Sequence, residues 1–431
     1  YCFENLFQLD SSTSPVYPVR TGCGLSFAFI LTTKKDHPMI FANHREQYFH
    51  KIKEAARLRI GASKFVRKED AVALLETVIH RGDRVCLEGD NQKQAEFLTK
   101  SLVQVDPARV NNLHMVQSSL VLPEHMEVFE KGIARKLDFA FSGPQATTLY
   151  RLVTEKKAEI GAIHTYLELY GRYFMDLYPN VALVVAESCD AAGNLFTGFN
   201  TEDTPLITEA THFKCGVVIA QVKHKVDKLP RVDIPGDWAD FIIETGEDCH
   251  LQPLFTRDPA DITDDQILMA MLALKGIYAE YGVRSLNHGL GNATAALELI
   301  LPTYGMELGL KGKCCTHWAL NPHPTLIPAI EADMIEHIYC FGGEPGMEDY
   351  VRSRPDLFAI GPDGEMRGGR CNAHIAGLYA IDCFVGATLQ VDKYGNSSTA
   401  IKGRIAGFGG APNLGGTPPG RRHRTETFAR S

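Results

Sequence analysis

The chain has 431 residues, 45% of them hydrophobic and 22% charged, with a formal net charge of −8. That length predicts two or three domains, and the acidic balance excludes a general drive toward nucleic acid or an anionic membrane. Eleven cysteines without a C-x-x-C pair read as reduced cytosolic thiols, and the apolar run 25–31 is too short to span a bilayer and lacks a cleavage site, so a cytoplasmic location is expected.

Residues 1–50 are rich in aromatic residues, Ser/Thr and Pro and show no usable periodicity, so 1–69 reads as a poorly specified leader that ends in a basic, helix-capable stretch at 51–67. Readable structure begins with a helix at 71–79 and a strand at 84–88, which ends in the turn Gly89-Asp90-Asn91. Residues 92–101 resume helical spacing. Strand, glycine turn and helix form the opening unit of an open parallel α/β sheet. Short buried strands follow at 113–116, 137–141 and 159–164, each trailed by a helix. Residues 181–186 form a continuous apolar run, as expected of a strand covered on both faces. A turn at 190–195 and a strand at 217–222 come next. Pro230, Pro235, Pro253 and Pro259, with many acids, mark 223–262 as a crossover rather than a core segment. A helix over 264–281 then precedes a second strand and glycine turn at 282–292 and a helix at 293–300.

The opening pattern therefore returns. Gly89 to Gly193 spans 104 residues, Gly291 to Gly395 spans the same 104, and the copies are offset by 202. Each pair begins at a glycine turn between strand and helix and ends at a Gly-Asn turn after an apolar run and an aspartate. This spacing predicts an internal duplication. The fold class is α/β, with two tandem open α/β domains at 70–262 and 263–416 and a basic tail at 417–431.

Common nucleotide signatures are missing: the glycines at 289/291 and 407/409 lack a third partner, and no P-loop or nucleophile elbow occurs. Cys314, Cys315, His317 and His323 lie close together but match no zinc spacing, so no metal is expected. The turn residues Glu88, Asp90, Asn91, Asn287, His288 and Asn292 fall at carboxyl ends of strands, where ligands gather in open sheets. Asp90 and Asn292 also suit helix capping. Three of the residues Gly407–Gly410 are glycine, a loop suited either to a tight turn or to binding an anion or oxyanion through backbone N–H groups. The first copy has no glycine cluster at 197–203, so the halves differ where chemistry would need them to. Arg421 and Arg422 in the tail are compatible with a solvated surface or a phosphate clamp.

Four motifs then resemble one family. Gly-Phe-Gly-Gly-Ala-Pro-Asn at 407–413 with Gly-Arg-Arg-His at 420–423, Leu-Glu-Gly-Asp-Asn-Gln-Lys-Gln at 87–94, Gly-Ala-Ile-His-Thr-Tyr at 161–166 and Leu-Asn-Pro-His-Pro at 320–324 look like the α subunit of malonate decarboxylase. The resemblance covers about 70–423 and implies the CoA-transferase superfamily. It implies exchange of acetate for malonate on an acyl-carrier-protein thioester, after which partner subunits decarboxylate the product. The subunit itself would bind no cofactor and would act on the carrier's phosphoribosyl-dephospho-CoA arm, with the carrier and the decarboxylase subunits as partners. Family members continue well past the Gly-Arg-Arg-His motif, so the tail is expected to be truncated. A citrate or acetate CoA-transferase, or a non-catalytic scaffold subunit, is the alternative.

On that reading Gly409, Gly410 and Phe408 carry the catalysis, with the loop N–H groups facing the oxyanion. Gly89, Asp90, Asn91, Gln92, Asn287, His288, Gly291, Asn292, His317, Gly407, Ala411 and Asn413 line the thioester and carboxylate sites. Arg404, Arg421 and Arg422 are the candidate phosphate clamp. Many CoA-transferases use a glutamate nucleophile; the corresponding stretch here, 316–319, has no carboxylate, which favours direct attack by malonate. Glu344 could substitute only if the register slips, and an ordinary loop acid is the plainer reading.

Overall fold

The computed structural model describes residues 18–20, 26–28, 40–87, 93–199, 203–375 and 377–414. The chain divides into two compact units, Tyr1–Glu46 and Gln47–Ser431. In the first, β1 (Pro18–Arg20) pairs antiparallel with β2 (Ser26–Ala28). Helix α1 (Ile40–Ala55) spans the boundary in sequence, so helix begins inside the supposed leader and stops well short of residue 67.

The second unit continues with β3 (Phe65–Val66), α2 (Ala71–Val78), β4 (Arg84–Leu87), β5 (Lys93–Gln94), α3 (Glu96–Leu102), β6 (Leu113–Ser119), α4 (Glu124–Glu130), β7 (Ala134–Phe141), α5 (Ala146–Thr154), β8 (Glu159–Ile163), α6 (Tyr166–Met175), β9 (Val181–Cys189), β10 (Leu195–Phe196), α7 (Thr204–Phe213), β11 (Val217–Lys225), β12 (Phe241–Glu244) and β13 (His250–Leu251). Among the described residues these strands build a nine-stranded sheet in the order β3-β12-β11-β9-β4-β6-β7-β8, with β10 pairing off the path on β9. Every pair along that path is parallel. Alternate residues of each central strand feed two cores. Val85, Leu183 and Val185 join α2–α5 on one face, while Cys86, Ala182 and Val184 join α6 and α7 on the other. Burial on both faces is why β9 reads as an unbroken apolar run.

Two expectations fail here. Residues 92–101 are not one helix: Lys93 and Gln94 pair with β13 (Leu251 and His250), and the helix starts only at Glu96. Residues 223–262 do contain core, because Phe241, Ile242 and Ile243 are fully buried in β12 between β11 and β3. The prolines flank that strand and never enter its ladder.

The remaining elements are α8 (Asp264–Ala273), β14 (Ser285–His288), α9 (Asn292–Ile300), β15 (His317–Ala319), α10 (Ile327–Glu331), β16 (His337–Tyr339), α11 (Glu348–Ser353), α12 (Arg370–Ile375), β17 (Cys383–Val385), β18 (Gln390–Val391), β19 (Ser397–Ser398), β20 (Ala400–Ile401) and β21 (Arg404–Ile405). A second parallel sheet has the order β16-β15-β14-β17. It repeats the order β7-β6-β4-β9 of the first sheet, strand for strand, near the 202-residue offset.

The turns repeat atom for atom. Asp190 Oδ1 accepts the N–H groups of Ala192 and Asn194, and Asn194 Nδ2 donates to Asp190 Oδ2. Asp392 Oδ1 accepts from Tyr394 and Asn396, and Asn396 Nδ2 donates to Asp392 Oδ2. Gly193 and Gly395 take φ of +85° and +84°, a conformation open to glycine and costly for other residues. Each turn closes a matching hairpin, Leu195 opposite Cys189 and Ser397 opposite Val391. The duplication read from sequence is therefore present in both topology and turn chemistry.

Candidate functional site

The glycine loop leaves the hairpin β20–β21 and lies across the carboxyl end of β7 in the first sheet. Gly407 forms an antiparallel bridge with Phe141, and Ser142 donates its N–H to Ala406 O at 2.8 Å. A Cβ on Gly407 would stand 2.3 Å from Ala140 O, so only glycine fits under the strand end at φ +82°. Gly409 (φ +58°) donates its N–H to Ala140 O at 3.0 Å and accepts from Tyr166 N at 3.2 Å. Tyr166 opens α6, whose start is fixed by a capping box between Thr165 and Glu168.

These bonds divide the two expected oxyanion donors. The Gly409 N–H is occupied by Ala140, which corrects its assignment as a donor. The Gly410 N–H has no acceptor among the described residues. Close by in sequence, Asn413 Oδ1 is buried without a partner among the described residues, while Asn413 N bonds to Gly410 O at 2.9 Å. An unclaimed donor and an unclaimed acceptor on one short stretch, Gly410–Asn413, mark a place for a polar ligand. Phe408 is 41% exposed beside them, and Ala411 starts a single 3-10 turn, Ala411–Asn413. The loop bridges both sheets, since Leu414 packs on the small core of Ala319, Phe341, Ala373 and Tyr379.

The other candidates are dispersed. Gly89, Asp90, Asn91 and Gln92 lie outside the described residues, as do Arg421 and Arg422. Arg404 is exposed on β21. Asn287 is buried at the carboxyl end of β14 and donates to Ala319 O. Gly291 caps α9, and Asn292 donates to Asp261 O at 3.2 Å, a connecting role. His317 is exposed at the amino end of β15, opposite Ser285 in register. It is at the wrong edge of the sheet for a site at strand carboxyl ends.

His288 is also not a surface ligand. Its Nδ1 meets Glu298 Oε1 at 2.9 Å, so Nδ1 carries the proton, and its Nε2 accepts the Tyr278 hydroxyl at 2.8 Å. His323 Nε2 lies 2.8 Å from Glu298 Oε2, which also accepts from Thr325 Oγ1. The whole network is buried. Burial opposes the charge on Glu298, but His323 and His288 outweigh it and hold the carboxyl well below the usual range. Burial likewise opposes charge on His323, and Glu298 prevails and raises its pKa. A second such carboxylate, Asp138, sits between His114 (2.5 Å) and His164 (2.7 Å). Despite burial, the two imidazoles hold its carboxyl well below the usual range.

Glu344 is fully buried. Its Oε1 accepts from Leu254 N and Phe255 N, both at 3.1 Å, and its Oε2 from Leu254 N, Thr256 N and Thr256 Oγ1 at 3.1, 3.3 and 2.9 Å. A carboxylate so enclosed ties down 254–256 and has no open approach for a nucleophilic attack.

Sequence reasoning missed several residues at this edge. Lys93 and Gln94 are buried in β5, and Gln117 is buried in β6 with neither amide atom paired among the described residues. Asp203, Tyr166, Phe341 and Arg370 meet where the two sheets adjoin. The Lys-Gln pair and Tyr166 stood inside quoted motifs. Nothing local singles out Asp203 or Arg370.

The sequence model of a family described as malonate decarboxylase, alpha subunit, transporter matches residues 41–431. The chain belongs to the malonate decarboxylase α subunit family. An acetyl-S-ACP:malonate ACP transferase from Malonomonas rubra is 60% identical over 374 residues, which is 87% of this chain and 68% of that protein. A Pseudomonas malonate decarboxylase hetero-tetramer, solved in complex with malonate, matches at TM-score 0.85 and 53% identity over 90% of this chain and 71% of that one. An acyl-CoA transferase from E. coli O157:H7, solved as a thioester complex with CoA, is 16% identical with TM-score 0.54, covering 81% of this chain and 73% of that one, and shows the shared fold. The α subunit family thus has a CoA-transferase architecture, in keeping with the duplicated sheets. Among the described residues no helix is long and apolar enough to cross a membrane.

Proposed function

We infer that this chain is the acyl-carrier-protein transferase of a malonate decarboxylase, exchanging acetate for malonate on the carrier thioester. Family membership and the likeness to the Malonomonas rubra transferase support the class of reaction. The observation that carries the chemistry is the Gly410 N–H, without an acceptor among the described residues while Ala140 O takes the N–H of its neighbour Gly409.

Malonate attacks the acetyl thioester carbonyl through one carboxylate oxygen. The carbonyl electrons move to oxygen, where Gly410 N–H stabilises the oxyanion. The C–S bond then breaks, releasing the carrier thiolate and leaving an acetyl–malonyl anhydride. The thiolate attacks the malonyl carbonyl of that anhydride, the C–O bond breaks, and acetate departs. No proton is consumed and no enzyme carboxylate is acylated, consistent with the enclosure of Glu344. Asn413 Oδ1 accepts from an amide or hydroxyl of the substrate arm.

The arm is the carrier's phosphoribosyl-dephospho-CoA, its phosphates met by Arg404 with Arg421 and Arg422, and the subunit holds no cofactor of its own. Gly89, Asp90, Asn91 and Gln92 are our candidates for lining the arm's path. The carrier and the decarboxylase subunits are its partners, in the cytoplasm. The test is transfer of the thiol carrier from acetyl carrier or acetyl-CoA to malonate, citrate and acetate in parallel, read as the new acyl thioester and the acetate released. Malonate-dependent transfer supports the reading. Transfer to citrate or acetate alone, or none by a chain that still assembles with its partners, overturns it.

A further inference from the structure

We propose that Arg370 and Asp203, acting through Tyr166, form a clamp between the two halves that sets the position of the Gly410 N–H; the proposal rests on the transferase reading above. Tyr166 is the floor of the loop. A Cβ on Gly409 would stand 3.5 Å from Tyr166 Cε2, and one on Gly410 3.3 Å from its Cδ2, so the ring borders both glycines and leaves little room for a side chain at Gly410. The Tyr166 N–H is already bonded to Gly409 O. Ring and backbone of one residue therefore fix two sides of the loop.

Arg370 fixes the ring. Its guanidinium carbon is 4.5 Å from the Tyr166 ring centroid and 6.0 Å from that of Phe341, within the range of a cation–π contact. Its Nη1 donates to Asp203 Oδ2 at 3.2 Å, and the next backbone N–H, of Cys371, reaches Asp203 Oδ1 at 3.4 Å. Asp203 immediately precedes α7 in the first half, and Arg370 opens α12 in the second. Both side chains are 2% exposed.

A buried ion pair is a poor way to glue two halves, because desolvation offsets its attraction and apolar packing does as well. Apolar packing is already present here in the core of Ala319, Phe341, Ala373 and Tyr379. What an ion pair adds is one defined geometry. The planar guanidinium, held at one end by Asp203, permits one tilt of the Tyr166 ring and hence one height for the Gly409–Gly410 backbone. An oxyanion donor needs that, since a displacement of about 1 Å costs on the order of 100-fold in rate. Arg370 and Asp203 are thus positioning residues: they act on the reaction through the loop.

The test uses the full chain with Arg370→Gln, Asp203→Asn and the double variant. Each single variant is expected to lose about 100-fold in kcat for carrier transfer from acetyl to malonyl with KM for malonate within about twofold. The double variant should be no worse than the worse single one, because all three break one device. Hydrogen exchange of the Gly409 amide, bonded to Ala140 O in the wild type, should accelerate in each variant while the strands of the first sheet stay protected. A rise in KM for malonate at unchanged kcat overturns the proposal, since Arg370 would then be binding the substrate. Unchanged kcat, additive losses or unchanged Gly409 exchange overturn it as well. Should Arg370→Gln fail to fold, Arg370→Lys keeps the charge without the planar stack and is read by the same measurements. A wild-type chain without transfer activity would sink the transferase reading alone, because the exchange measurement reports the clamp independently of turnover.

Discussion

Replacing Glu344 by glutamine separates the two chemistries open to a transferase of this fold. Each carboxylate oxygen accepts at least two donors: Leu254 N and Phe255 N on Oε1, and Leu254 N, Thr256 N and Thr256 Oγ1 on Oε2. Whichever oxygen becomes the amide NH2, at least two donors then face another donor in a site closed to water. A hydrogen bond to a charged group contributes about 1.5–3 kcal/mol net, so Glu344→Gln should destabilise the protein by about 3 kcal/mol or somewhat more. The transfer step loses nothing directly. We therefore expect a clearly lowered melting temperature and, at a temperature where the variant is folded, a transfer rate per folded molecule within about twofold of wild type. Thermal melting by circular dichroism and malonate-dependent release of labelled acetate from acetyl carrier give the two readings. A variant that melts like wild type but has lost transfer refutes the reasoning. Glu344 would then be the acylated nucleophile, and mass spectrometry after borohydride treatment of the wild type loaded with acetyl carrier would find the reduced glutamate.

Gly410→Pro removes the Gly410 N–H at a φ of −89°, near what proline adopts; in a variant that circular dichroism shows to be folded, kcat should fall about 100- to 1000-fold, and retained transfer would move the oxyanion donor elsewhere. The Glu298 network should limit stability at both ends of the pH scale. Glu298 is depressed from 4.5, so its contribution is complete above that pH and is lost as pH falls through the lowered value. His323 is raised from 6.5, so its contribution is complete below that pH and is lost as pH rises through the raised value. Denaturation midpoints measured across pH should show the network's support fully present between those two values, and Glu298→Gln should flatten both slopes. Tyr278→Phe leaves the buried His288 Nε2 without its donor and should cost about 1–3 kcal/mol in denaturant unfolding; a neutral result would reverse the tautomer assigned to His288.

Much of the architecture was legible because its signals are local. Val181–Cys189 is apolar on every residue that faces a core, and the Asp-x-x-Gly-Asn turns at 190 and 392 use side chains that bond their own backbone. The duplication could be read from glycine spacing because Gly193 and Gly395 must hold positive φ. Phe241–Glu244 escaped because a short strand between prolines has too few residues to show a period. Lys93 and Gln94 escaped because polar residues that pair in a buried strand imitate a helix surface. The site was legible only as a loop. Which of its N–H groups is free depends on Ala140, whose carbonyl lies far away in sequence, and the same distance hides Asp203 from Arg370 and Leu254 from Glu344. His288 misled for a related reason: at a strand end a histidine serves a ligand or a core carboxylate equally well, and here Glu298 is the partner. His317 sits at the right strand but at its amino end, a distinction that depends on where β15 starts.

The loop's seat on β7 also orders events during synthesis. Chains leave the ribosome amino end first, and domains fold as they emerge. Strand β7 and helix α6 are complete once Met175 has been made, yet the glycines that close over Ala140 come from the far end of the duplicated half. Until they arrive, the Ala140 carbonyl and the Tyr166 N–H lack the partners that Gly409 gives them, and the nascent chain has a first sheet without the loop proposed to hold the oxyanion. On the transferase reading, a polypeptide halted or clipped before Gly407 would lack the oxyanion donor whatever the state of its first sheet. The oxyanion donor is thus among the last parts of the site to be made, and it is seated by a contact between the two copies of the duplicated sheet.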